Sequence, residues 1–199
     1  MLSITDKLQK RVFDIVLSVV GIIATCWIML LSWIVASFET KSNGLFMQER
    51  VGIDGKPFLV FKIKTMKNVK GIDSTITKSG DIRITKSGVF FRKMKIDELP
   101  QLFNVLFGSM SFVGPRPDVA GFADTLEGED KIILSLYPGI TGPASLKYKD
   151  EETLLATQIN PERYNREVIW PDKVRINRKY IKEWSLKQDI IYIIKTILG

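Results

Sequence analysis

Histidine is absent from the 199 residues, and cysteine occurs once, as Cys26. The first absence excludes Ser-His and Cys-His nucleophile systems together with His-ligated zinc, and the second excludes an intrachain disulfide and makes a cysteine-based metal site improbable. Carboxylate, lysine, arginine and tyrosine chemistry remains. Charge is also missing from one stretch, since residues 15–38 contain no Asp, Glu, Lys or Arg. As a helix this run extends about 36 Å, enough to cross a hydrocarbon core of roughly 30 Å. It is too long for the apolar part of a cleaved signal, and no small-x-small site follows it, Ala36 being paired with Phe38.

The rest of the chain is basic, with 29 Lys and Arg against 22 Asp and Glu, a net charge of +7. Such a balance suits nucleic acid, anionic lipid or polyanionic substrates. No nucleic-acid motif accompanies it, and the apolar run fits that use poorly, so no nucleic acid is expected as a partner. Lys7, Lys10 and Arg11 precede the run and every other basic residue follows it, so positive charge stands on both flanks. A re-entrant helix, which enters and returns to the same membrane face, satisfies both. Gly21, Thr25 and Ser32 offer places for a bend, and Trp27 and Trp33 suit an interface. By length the chain is one domain, with residues 1–40 a membrane-inserted helix joined in one structural unit to residues 41–199.

Beyond the run, Leu45, Phe46 and Met47 and then residues 58–63 read as two strands around IDGKP, where Asp54-Gly55 is a good turn dipeptide. GIDGK has the wrong glycine spacing for a phosphate loop, and no Ser or Thr follows Lys56. Lys62 and Lys64 share a strand face, a pattern that solvent alone explains. Residues 67–87 are polar, and TKSG occurs at Thr77 and again at Thr85.

Chemistry concentrates in KIDELPQLFNVLFGSMSFVGPRP, residues 95–117, where Asp97 and Glu98 are adjacent. Neighbouring acids do not easily serve one salt bridge, so they imply a divalent cation, a shared proton or two different jobs, unless they merely open a helix. Pro100 fits a first helical turn after them, with Leu102, Phe103, Leu106 and Phe107 at helical spacing until Gly108. Arg92, Lys93 and Lys95 precede the acids; Arg116 follows, stiffened between Pro115 and Pro117. A pre-set arginine loses less entropy on gripping a phosphate.

These residues resemble the signature of the bacterial sugar transferase family, the monotopic phosphoglycosyl transferases. The likeness extends from Lys10 to the last helix, through KRVFD at Asp14, FKIKTM, IDELP, VGPRP, YPGITGP and the spacing of Tyr180, Ser185 and Asp189. It implies an α+β fold, mainly α, with a re-entrant N-terminal helix, a small β-hairpin and interfacial amphipathic helices. It implies transfer of a sugar-1-phosphate from a UDP-sugar to polyprenyl (undecaprenyl) phosphate at the cytoplasmic face of the inner membrane, with release of UMP, as in capsule, lipopolysaccharide or glycoprotein assembly. By this resemblance Asp97 is the nucleophile, Glu98 assists beside Mg2+ as the second metal ligand, and Lys62, Arg92 and Arg116 bind phosphate. Arg50 and Asp189 hold supporting positions, Asp189 orienting an active-site lysine.

Two departures stand out. The family breaks its first helix at a Ser-Pro pair, where this chain has Cys26 and Trp27. After Pro143, ASLKYKDEETLL differs from the family's better-known sequences, and sugar choice is expected here; its charged residues otherwise read as a solvated helix start. A membrane-anchored scaffold of the same fold without turnover is the alternative. The last helix, with Ile190, Ile191, Ile194 and Ile197 beside Lys187 and Lys195, is expected either at lipid or in the core.

Overall fold

The computed structural model describes residues 2–67 and 81–199, so the first TKSG copy lies outside the described residues. The elements in order are α1 (Ile4–Thr40), β1 (Leu45–Val51), β2 (Pro57–Ile63), α2 (Lys86–Lys93), α3 (Gln101–Phe107), β3 (Ser111–Val113), β4 (Gly139–Thr141), α4 (Pro143–Lys147), α5 (Glu151–Ala156), α6 (Pro161–Tyr164), α7 (Trp170–Lys182) and α8 (Leu186–Leu198). The fold is mainly α with a small antiparallel hairpin, β1-β2. The chain forms two compact units. One contains Leu17–Gln48 and Leu59–Asn104, and carries Asp97 and Glu98; the other, here the C-terminal unit, contains Met1–Val16, Glu49–Phe58 and Val105–Gly199.

Helix α1 is apolar outward and polar inward. Asp14, Ser18, Met29, Ser32 and Ala36 are buried, Gly21 and Thr25 are half-buried between them, and this spacing of three and four places all seven on one helical stripe. Val16, Val20, Ile23, Trp27 and Leu30 occupy the exposed side. The hydroxyls of Thr25 and Ser32 are satisfied within the helix, by Gly21 O at 2.7 Å and Ile28 O at 2.8 Å, which is how polar groups persist in so apolar an element. The helix passes without interruption through Cys26 and Trp27. It is long and apolar enough to cross a membrane.

In the unit bearing Asp97, the later part of α1 supports the hairpin and α2. Ala36 packs with Ile63 and Phe91, and the Glu39 carboxylate accepts from Ser87 N at 3.2 Å and Ser87 Oγ at 2.5 Å, at the first turn of α2. Thr85, in the second TKSG copy, is the N-cap of α2 and accepts from Gly88 N at 2.9 Å. The buried amide of Asn104 works as a strand partner, accepting from Phe61 N at 3.0 Å and donating to Leu59 O at 2.7 Å. It thereby fastens α3 to β2.

The C-terminal unit is organised by a buried carboxylate. Asp189 accepts from Lys10 at 2.6 Å, from Tyr180 Oη at 2.7 Å and from Trp184 Nε1 at 3.0 Å, so the start of α1, α7 and α8 share one ion. Arg11 donates to the carbonyls of Val105 and Leu106 at 2.6 and 2.7 Å, capping the end of α3. Strands β3 and β4 pair in parallel, Ser111 with Gly139 and Val113 with Thr141. Gly139 permits this closeness, since a methyl there would lie 2.2 Å from Gly114 N. Val113, Ile133, Leu136, Val174 and Ile181 form the core around them.

Several expectations need correction. Strand β1 runs to Val51, four residues beyond the Leu45 to Met47 segment, and the parallel pair β3-β4 stands where no strands were expected. Asp97 and Glu98 are not in the first turn of α3. They form their own 3-10 turn, Ile96–Glu98, and α3 begins after Pro100 and ends, as expected, at Gly108 with φ 82°. Helix α8 packs Tyr192 and Ile193 on the core and leaves Ile190, Ile194 and Ile197 exposed. Replacing Asn104 by Leu removes both part-buried bonds to β2 and is expected to cost about 2 kcal/mol, or roughly 6 °C in melting temperature. A change of a degree or less in thermal melts of detergent-purified protein would show that β2 does not depend on this amide.

Candidate active site

The site is built from three consecutive local choices. Lys95 stands in the left-handed region at φ 56°, a conformation costing about 1–2 kcal/mol for a residue with a Cβ, and it turns the chain sharply after α2 into the Ile96–Glu98 turn. Glu98 then meets Lys62 of β2, with Oε1 3.0 Å from Nζ and both side chains largely buried. Asp97 is not so held. Its Oδ1 is buried and has no hydrogen-bond partner among the described residues.

Two adjacent acids are thus made unlike by their surroundings. Burial first, and then the charge of Glu98, push the Asp97 carboxyl above its ordinary range, while Lys62, Arg92 and Lys95 pull it back. Arg92, from the last turn of α2, donates to Thr65 Oγ1 at 2.9 Å and to Met66 Sδ at 3.1 Å, both neutral acceptors. An unpartnered buried carboxylate oxygen surrounded by three cations fits an incoming electrophile or cation. Among the described residues no three His, Cys, Asp or Glu side chains converge, so these two acids alone would not cage a metal. Mg2+ fits such a site, since it is usually held by one or two carboxylates together with substrate phosphates and water.

Of the residues singled out in the sequence, Asp97, Glu98, Lys62 and Arg92 come together in one unit. Lys64 instead donates to Ser42 at 2.8 Å. Arg116, Arg50 and Asp189 belong to the C-terminal unit. There Arg116 is exposed, and its segment is held by hydrogen bonds from Gly139 N to Pro115 O at 2.8 Å and from Val51 N to Asp118 O at 2.9 Å. Arg116 and Asp118 border a small cavity with Val51, Pro115 and Ile133. Burial pushes the Asp118 carboxyl up to about 6, against the opposing pull of Lys173, Arg116 and Arg50.

Asp189 pairs with Lys10 of α1, which lies with it in the C-terminal unit and not in the unit that carries Asp97. In the segment after Pro143, Lys147 pairs with Asp172 at 2.5 Å and Glu151 with Lys173 at 2.6 Å, so part of its charge is spent on α7 rather than on solvent. Sequence reasoning missed Asn104, Thr65 and Met66. A lone amide among Leu102, Phe103, Val105 and Leu106 was the available signal for Asn104; nothing in FKIKTM distinguished the other two.

Because the folded protein raises the proton affinity of Asp97, the ionised form costs stability above the folded-state pKa, and that cost fades as pH falls toward the ordinary carboxylate range. Asp97→Asn is therefore expected to raise the melting temperature of metal-free protein at pH 8, by an increment of about 1 kcal/mol that shrinks on acidification. Equal or lower stability of the variant at pH 8 would contradict the buried, unpaired carboxylate.

The family model described as bacterial sugar transferase matches residues 5–199. The chain is 36% identical over 197 residues to a UDP-glucose:undecaprenyl-phosphate glucose-1-phosphate transferase of Klebsiella pneumoniae, covering 94% of this chain and 39% of that protein. It is 32% identical over 192 residues to a UDP-N-acetylgalactosamine-undecaprenyl-phosphate N-acetylgalactosaminephosphotransferase of Aeromonas hydrophila, covering 94% of this chain and 42% of that protein. A UDP-glucose:undecaprenyl-phosphate glucose-1-phosphate transferase of Caulobacter vibrioides is 33% identical over 196 residues, 96% of this chain and 68% of the relative. The chain thus spans about two fifths of the length of the first two relatives. On a match that takes in the membrane-capable helix, the Asp97-Glu98 turn and the Asp189 clamp together, this chain belongs to the bacterial sugar transferase family.

Proposed function

We propose that the chain transfers a sugar-1-phosphate from a UDP-sugar to polyprenyl phosphate through a phosphosugar-aspartyl intermediate. The observation that carries this reading is the contrast within the acid pair, where Asp97 keeps a buried, unpartnered oxygen and Glu98 is held by Lys62. The relatives' names supply the acceptor class, and they differ in the sugar, which leaves the donor sugar open.

In the first step Asp97 Oδ1 attacks the phosphorus that bears the sugar. The new bond joins Oδ1 to phosphorus, the bond from that phosphorus to the bridging oxygen breaks, and UMP departs with that oxygen. In the second step an oxygen of polyprenyl phosphate attacks the same phosphorus, the Oδ1 bond breaks, and the free Asp97 carboxylate returns. Lys62 and Arg92 stabilise charge on phosphoryl oxygens, a role that the family likeness also gives Arg116, and electrostatic stabilisation of that kind dominates phosphoryl transfer. Glu98 holds the cation or moves a proton. Bound Mg2+ would sit on Asp97 and Glu98 and supply neutralisation of phosphate charge.

The placement of α1 supports action at one membrane face. A methyl on Gly21 would lie 3.2 Å from Leu102, four residues beyond Glu98, and Ala36 packs against Ile63, the neighbour of Lys62. These contacts are about 22 Å apart along the helix axis. A perpendicular crossing would draw the Asp97 unit and its lysines into hydrocarbon, whereas shallow insertion presents only the apolar side to lipid. Positive charge at both ends agrees, and the reading places the site at the cytoplasmic face of the inner membrane, where nucleotide sugars are available.

Detergent-purified protein with Mg2+ and polyprenyl phosphate is expected to release UMP from one or more of a panel of UDP-sugars, and Asp97→Asn to release none while remaining membrane-bound. Without acceptor, wild type should gain the mass of one phosphosugar. Folded wild-type protein silent with every donor would instead favour a non-catalytic scaffold. An impermeant thiol reagent outside intact cells is expected to leave Cys26 unlabelled; labelling would overturn the one-face topology.

A further inference from the structure

Arg92 is held in an unusual way for a buried-site arginine. A structural guanidinium is ordinarily fixed by a carboxylate, which neutralises its charge. Here the fixing groups are the hydroxyl of Thr65 at 2.9 Å and the thioether of Met66 at 3.1 Å, and among the described residues no carboxylate forms an ion pair with it. Its charge acts on Asp97 and also on Asp81, with no carboxylate among the described residues neutralising it by contact.

Thr65 is placed to do this because α2 is seated on it. Thr65 is buried at 6% exposure, and its carbonyl accepts from Thr85 N, the N-cap of α2, at 3.0 Å. Gly88 comes next along the helix, so close that a methyl there would lie 2.4 Å from Thr65 O. Arg92 is one helical turn beyond Gly88 and lies on the same face, which brings its guanidinium to the Thr65 hydroxyl. One residue therefore meets α2 at three levels. The same extended segment carries Lys62 to Glu98, so β2 and the residues just after it set two of the cations around Asp97.

We infer that Thr65 is the positioning residue for Arg92, fixing the guanidinium through a neutral acceptor so that its charge and remaining donors meet the phosphoryl group, with Met66 as the second contact. This rests on the transferase reading above. A preorganised donor needs no reorganisation as charge develops, and a displacement of about 1 Å in such a group can lower rate on the order of a hundredfold.

The test uses the full chain in detergent and a UDP-sugar that wild type turns over. Thr65→Val, which keeps shape and removes the acceptor, is expected to lower kcat/KM by roughly ten- to a hundredfold. Thr65→Ser should restore most of it. In an Arg92→Gln background, Thr65→Val should change turnover by less than about threefold, since coupled residues do not add. Independently of turnover, phenylglyoxal modification of Arg92, followed by peptide mass spectrometry, should accelerate several-fold in Thr65→Val and stay at the wild-type rate in Thr65→Ser. The proposal is overturned by an unchanged labelling rate in Thr65→Val, by activity within threefold of wild type, or by an equal loss in both Arg92 backgrounds. Absence of turnover in wild type would sink the transferase reading alone, because the labelling rates still decide the role of Thr65.

Discussion

A long helix that turns its small and polar side chains inward is the constraint on which the rest depends. Ser18, Gly21, Thr25, Met29, Ser32 and Ala36 make one stripe within the unit that carries Asp97, and Asp14 serves the C-terminal unit. Small residues admit close neighbours, as where Gly21 meets Leu102. Polar ones are satisfied locally, or serve as anchors, as where Asp14 Oδ1 accepts from Phe112 N at 3.0 Å. With the polar face consumed by the protein, the apolar face is left for lipid, reversing the usual amphipathic arrangement of a soluble helix.

The chemistry follows from a second asymmetry, between neighbours that composition cannot tell apart. Asp97 and Glu98 carry the same functional group, yet Glu98 is paired with Lys62 and Asp97 keeps an unsatisfied buried oxygen. Both stand in one 3-10 turn, which the left-handed residue Lys95 starts, and Lys62 pairs with Glu98. Such a carboxylate destabilises the folded protein by itself, which is a familiar cost at sites whose missing partner is a ligand. Arg92 is the complementary case, a cation whose contacts are chosen to be neutral.

The buried ion at Asp189 has a different task. Three donors surround it, and they come from α1, α7 and the segment before α8. Breaking one partner of such a cluster leaves an uncompensated buried charge, so the cluster specifies how distant parts of the C-terminal unit join even where its net stabilisation is small. Its sequence position near the C-terminus therefore reflects assembly around Lys10.

Much was legible because it is local. A charge-free run over residues 15–38 is long enough for a membrane helix whatever surrounds it, Asp54-Gly55 selects a hairpin turn, Gly108 ends a helix, and adjacent acids followed by VGPRP carry the likeness to the family. Each depends on backbone preference, hydropathy or residue type within a few positions. What only the tertiary structure decided is which of these groups meet. Short parallel strands such as β3 and β4 carry no period to read, and their pairing comes from glycine backbones in contact across the fold. Likewise the partners of Lys62, Arg92, Asn104 and Asp189 lie far from them or out of pattern in the chain, and a hydrogen bond or ion pair is fixed by distance in space, which sequence spacing does not encode beyond a turn or two of helix.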